Sequence, residues 1–186
     1  MNRNDAYELL KEYTEGDSLI KHALAVEAAM KAYARKFDEA EELWGITGLL
    51  HDFDYEKYPS LEDHPARGAE ILEEKGYPEE VVYAIRSHSE VLGVERVHLM
   101  DKALFAVDEL TGMITAASLV RPTRIEGLAA KSVRKRMKDK AFARAVSRED
   151  INKGAEELSV ELGEHINFVI EAMRGIADEL GLRGDS

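Results

Sequence analysis

Residues Ile46–Asp54 read ITGLLHDFD, an apolar run that ends on an adjacent histidine and aspartate, His51 and Asp52. Leu43, Ile46, Thr47 and Leu50 recur at three- and four-residue intervals, which predicts a helix packing one face inward, opened by Asp38 as its cap. The helix delivers His51 and Asp52 to its C-terminal end. A nitrogen donor and a carboxylate side by side at the end of a buried helix can turn toward one interior point, where a cation satisfies two groups that are otherwise costly to bury. The stretch therefore predicts a helical core around a polar centre, with further partners at intervals on either side.

Toward the N-terminus, Asp5–Tyr13 reads as a short helix closed at Glu15-Gly16. Asp17 and Ser18 then cap a second helix running to about Phe37, with Leu19, Ala23, Val26, Met30 and Tyr33 on one face and His22 beside them. Alone, His22 is an ordinary core histidine bonded to backbone. Beyond Asp54 comes a loop, then a helix opening near His64-Pro65 and running through Ala69, Ile71 and Leu72 to Lys75-Gly76. Pro78 starts the next helix, in which Val81, Val82 and Ile85 lead to Arg86 and His88. Leu99 to about Leu119 is apolar on most of its circumference, which marks a central helix. Asp108 lies within it, and a carboxylate there requires an arginine or a metal as partner. Thr111, three residues on, shares its side of the helix.

Arg121-Pro122 breaks that helix, and the segment to Arg148 is expected to form one or two short helices. Ser147 caps a last helix with Ile151, Leu158, Leu162, Val169, Met173 and Ile176 on its buried side. His98 is expected to be exposed and His165 structural, and the polar tail from Gly181 to be frayed.

Composition bounds the rest. The simplest organisation is one all-α domain over residues 1–186: a core at about 17–120, a basic helical segment at 121–148 and a C-terminal helix at 149–180 packed on it. Without cysteines, disulfides, zinc-thiolate sites and iron-sulfur clusters are excluded, and any metal is held by imidazole and carboxylate. The polar N-terminus lacks a signal-peptide core, so a soluble, cytoplasmic protein is expected, with no membrane partner. The net charge of -12 is segregated: residues 121–148 carry ten Lys or Arg against Glu126 and Asp139, a local +8 that leaves -20 elsewhere. Such a segment suggests an anionic partner, or else a solvated helix face. The acidic remainder argues against broad nucleic-acid binding.

The candidates gathered this way are His22, His51, Asp52, His64, His88 and Asp108. Four imidazoles and two carboxylates exceed what one metal needs and suit two metals sharing a carboxylate. The order of a lone histidine, the His-Asp pair and a later aspartate on a long helix resembles the HD superfamily of metal-dependent phosphohydrolases. HPARGAEIL with His64 and AIRSHSE with His88 resemble the six-ligand version found in HD phosphodiesterases and in bacterial hydrolases of symmetrical dinucleoside tetraphosphates, and VDELTGMITA onward resembles a group of predicted HD hydrolases. The resemblance implies an HD-domain helical bundle with a C-terminal helical extension, in which His22, His51, Asp52 and Asp108 hold one metal while His64 and His88, with Asp52 bridging, hold a second.

It further implies hydrolysis of a small anionic phosphorylated metabolite, a nucleotide in the leading reading, by a metal-activated water, with Asp52 the catalytic carboxylate. Two divalent transition-metal ions are the expected cofactors, iron or manganese first, with zinc, nickel or cobalt compatible. Arg67, Thr111, Arg121, Arg124, Lys131 and Lys135 are the candidate substrate contacts. Phe53, Asp54 and Tyr55 stand where the phosphodiesterase branch has Ile-Gly-Lys, and Tyr55 where the nucleotidase branch has a glutamate, so neither narrow substrate class is implied. A nucleotide-sensing module without turnover and an HD-like diiron oxygenase are the alternatives. The oligomeric state is left open.

Overall fold

The helical periodicity of the sequence is realised throughout. In the computed structural model, which describes residues 2–184, ten α-helices and one short 3-10 turn account for the regular structure, and the described residues form no strand beyond an isolated bridge between Arg124 and Arg183. None of the described helices is long and apolar enough to cross a membrane. The chain divides into two compact units, one up to Phe105 and one from Ala106.

The first unit holds α1 (Arg3–Tyr13), α2 (Asp17–Phe37), α3 (Glu41–Leu50), α4 (Ala66–Glu74), α5 (Glu79–Ser87) and the opening of α6 (Leu99–Leu119). Asn2 caps α1 reciprocally with Asp5, satisfying amides that a helix start leaves open. The apolar faces of α2 and α3 pack on each other, and Val26, Met30, Tyr33, Leu49 and Leu50 are fully buried. Each such side chain removed from water contributes roughly 1.5–3 kcal/mol. Gly48 permits the close crossing: a Cβ there would come within 2.9 Å of Met30 and 3.0 Å of the Val26 carbonyl oxygen. Glu27, buried on α2, is held by Arg3 at 2.8 Å and Lys31 at 2.6 Å. Burial disfavours its charge, yet the bonds from Arg3 and Lys31 outweigh that and lower its pKa.

Two expected caps are corrected. Asp38 closes α2 in the left-handed conformation (φ 59°), and α3 opens on Ala40 instead. Aspartate tolerates that conformation better than most residues, so it serves a helix end as readily as a start. Likewise Gly16 stands at the N-cap of α2, with Asp17 inside the first turn.

The second unit holds the rest of α6 with α7 (Ala130–Met137), α8 (Arg148–Glu157), α9 (Leu162–Arg174) and α10 (Ala177–Leu180). The expected continuous last helix is three. Ser159 takes a positive φ of 58°, and Glu161 starts α9 by accepting the Glu164 amide, so the apolar period continues across a break. Ser147 does cap α8. The expected fraying from Gly181 is corrected as well: Leu182 is buried and its carbonyl accepts from Ile125. Asp185 and Ser186 lie outside the described residues.

Candidate metal centre

The end of α3 sets the centre. His51 is its C-cap residue and fully buried, and its Nδ1 lies 2.8 Å from the Gly48 carbonyl oxygen. At the end of α5 the same device recurs, with His88 Nδ1 2.6 Å from the Ile85 carbonyl oxygen. A carbonyl only accepts, so in both rings Nδ1 carries the proton and Nε2 presents a lone pair. Asp52 follows in a turn pinned to the α1–α2 connection: the Thr14 hydroxyl donates to the Phe53 carbonyl at 2.9 Å, and the Glu56 carboxylate accepts from the Glu15 and Gly16 amides.

The two oxygens of Asp52 face different partners. Oδ2 lies 3.4 Å from His51 Nε2 and 3.9 Å from His22 Nε2, while Oδ1 lies 3.1 Å from His64 Nε2 and 3.2 Å from His88 Nε2. His22, on α2, brings its Nε2 to 3.2 Å from that of His51. The donor atoms of His22, His51 and Asp52 fall within 4.8 Å of one another, and so do those of Asp52, His64 and His88. Burial works against charge on Asp52, and the imidazoles of His51, His64 and His88 around it, when doubly protonated, hold its carboxyl well below the usual carboxylate range.

His64 is positioned by a residue to which the sequence reading gives no role. Asp54 is fully buried, with one oxygen 2.8 Å from His64 Nδ1 and the other accepting the Gly68 amide at 2.8 Å. Gly68 is required by this approach, because a Cβ there would meet the Asp54 carboxyl carbon at 2.7 Å. Burial opposes charge on His64, but its bonds to Asp52 and Asp54 prevail and raise its pKa to about 9. The signal for Asp54 is present in the chain as a second carboxylate two positions past Asp52. Nothing in its spacing distinguishes it from the other acids of that loop.

Five of the six candidate ligands, His22, His51, Asp52, His64 and His88, are thus brought together in the first unit. Asp108 stands on α6 beyond the division, half-buried, and its main-chain oxygen accepts from the buried Thr111 hydroxyl at 2.8 Å. Of the candidate substrate contacts, Arg67 is exposed and paired with Glu70 at 2.9 Å. Arg121 donates to the Glu126 carbonyl at 2.8 Å and Arg124 to that of Leu119 at 3.2 Å, so both tie down the turn after α6. Lys131 and Lys135 are exposed on α7. As expected, His98 is exposed and His165 is buried, with Nε2 2.9 Å from the Ala106 carbonyl oxygen.

The donor set fits a bound cation. Nε2 lone pairs of His51 and His88 converge on a carboxylate, an arrangement of three electron-rich groups that repel unless positive charge lies among them. The family model described as HD domain matches residues 19–162, a span that contains every one of the six candidate ligands. No solved structure matches the chain.

Proposed function

The chain belongs to the HD domain family, one of metal-dependent phosphohydrolases, and from that premise we propose that it hydrolyses a small phosphorylated metabolite, a nucleotide in the first instance, at a dinuclear centre. His22, His51 and Asp52 would hold one divalent ion, with Asp108 the further ligand that the family resemblance implies. His64 and His88 would hold a second, with Asp52 shared between the two. Iron and manganese suit this imidazole and carboxylate set, and zinc, nickel and cobalt are compatible with it. Bound there, such ions supply Lewis acidity and lower the pKa of water to near neutrality.

The observation that carries the reading is the division of labour within Asp52, one oxygen toward His22 and His51 and the other toward His64 and His88. The rest of the chain's work is orientation. The Gly48 and Ile85 carbonyls fix the tautomers of His51 and His88, and Asp54 fixes the ring of His64. No side chain of the set is a nucleophile, so the attacking group is water, and Asp52, as the shared carboxylate, is the residue the reaction depends on most.

Hydrolysis of a panel of nucleoside mono-, di- and triphosphates and dinucleoside polyphosphates, read as release of orthophosphate and of nucleotide products with manganese or iron supplied, tests the reading. Turnover by the native chain that disappears in Asp52→Ala supports it. Equal release by both, or none by the native chain after reconstitution, contradicts it.

A further inference from the structure

The second unit carries a stripe of like charge that its own packing does not use. Lys131, Arg134, Lys135 and Lys138 recur along α7 and its C-cap at positions i, i+3, i+4 and i+7, so they share one side of the helix. Ala130 and Val133 are buried, and α7 packs on α9. The four residues line a cleft of about 490 Å³ with Ala130, chiefly through their aliphatic stems, with the charged ends at its rim. A neighbouring cleft of about 520 Å³ is bounded by Arg121, Ser132, Lys135 and Arg136, with Asp139 the acid on its wall. Lys135 belongs to both. Among the described residues, the ion pair these four make is the long one from Arg134 to Glu161, at 3.9 Å.

Helix electrostatics explain only part of this. The dipole favours cations in the last turn, which accounts for Arg134, Lys135 and Arg136. It opposes Lys131 in the first turn, and Lys131 with Lys135 and Arg134 with Lys138 are like-charged pairs four residues apart, which repel. A stripe maintained against self-repulsion, over a cleft, in a chain of net charge -12, calls for a compact anion of several charges.

We propose that this face of α7 binds a linear oligophosphate, three or more phosphoryl groups in a row, as in inorganic tripolyphosphate or the triphosphate of a nucleotide. Seven residues of helix rise span about 10 Å, commensurate with such a chain. Nucleic acid would want a larger basic surface than this acidic protein offers. An anionic membrane would want apolar anchors among the cations, and the exposed large hydrophobic residues all lie off α7. The site is made of second-unit residues alone and uses none of the proposed metal ligands; Lys131 and Lys135, expected from sequence as substrate contacts, here form a binding face whose test does not depend on hydrolysis.

The test is calorimetric titration of inorganic tripolyphosphate into the Asp52→Ala chain, whose proposed metal centre is disabled, at low and moderate salt. The same titration follows in that chain with K131E and K135E added, and with K131R and K135R added. Binding that weakens with salt, falls at least about tenfold on charge reversal and survives the arginine exchange is the expected result. A nucleoside triphosphate run in parallel separates the two sources of the anion: tighter binding than tripolyphosphate assigns the site to nucleotides, and equal binding to the phosphate chain itself. Should charge reversal perturb the circular dichroism spectrum, K131Q with K135Q serves in its place. Three results overturn the proposal: no binding by Asp52→Ala, undiminished binding by a folded charge-reversed chain, or capture by phosphatidylglycerol vesicles without affinity for tripolyphosphate. Metal content and phosphate release are read separately, so failure here leaves the hydrolytic reading to its own test.

Discussion

The two units handle charge in opposite ways. In the first, the polar side chains of the centre are buried or half-buried, and three of the four histidines have Nδ1 committed to a carbonyl or to Asp54. In the second, cations stand exposed along α7 over a cleft, with a single long ion pair among them. The difference teaches what each region can recognise. Prearranged donors around a carboxylate specify geometry, which suits a metal ion. An exposed row of three lysines and Arg134 specifies charge density, which suits phosphate oxygens without fixing what carries them.

The sharpest break in that comparison is Asp52→Ala, which removes the one group that both halves of the centre share. Phosphate release is expected to fall more than about 100-fold, beyond the effect of losing an outer-shell partner, with metal content falling alongside. Asp54→Asn probes the orienting layer alone. It keeps the volume and an acceptor but loses the charge beside His64, and metal affinity measured by competition with a chelator should drop roughly 10- to 100-fold. An unchanged affinity would mean that Asp54 only packs.

Away from the centre, Glu27→Gln removes a buried carboxylate from Arg3 and Lys31 and should cost about 2 kcal/mol in denaturant unfolding at neutral pH. The sign with pH follows from its lowered pKa. The pair stabilises above the carboxyl's unfolded pKa, and the contribution is lost as pH falls through the lower folded value. The native and Glu27→Gln curves should therefore draw together in acid, as pH falls below the ordinary glutamate value toward the lower folded one. The smallest effect expected is a gain. Lys131→Glu places an acid in the first turn of α7, four residues before Lys135, and should raise stability by about 0.5 kcal/mol while weakening oligophosphate binding. Opposite signs for stability and binding in one variant would show the stripe to be kept for a ligand and not for the fold.

Much of this was legible in the chain, and the residues show why. α6 is found to the residue because its apolar character is continuous and its ends are marked by the loop before Leu99 and by Arg121-Pro122. His51, Asp52, His64 and His88 are recognisable by order and by their placement at helix ends, where side chains converge, and His22, inside α2, by order. Asp38 misled because aspartate suits both ends of a helix, and Ser159 because one left-handed residue breaks a helix without interrupting the apolar period. Asp54 was illegible for a different reason: its role comes from the close approach of Gly68 on α4, a tertiary contact with no local signature. Nor does sequence reveal that Arg121 and Arg124 spend their guanidinium groups on nearby carbonyls.

The central claim is that Asp52 bridges two ions, and the most direct measurement is the metal content of the purified chain, reconstituted with manganese or iron and dialysed, beside that of Asp52→Ala and of His64→Ala. The account predicts about two ions per native chain, about one in His64→Ala and close to none in Asp52→Ala. A native chain that retains no metal, or an Asp52→Ala chain that retains the full complement, would contradict it.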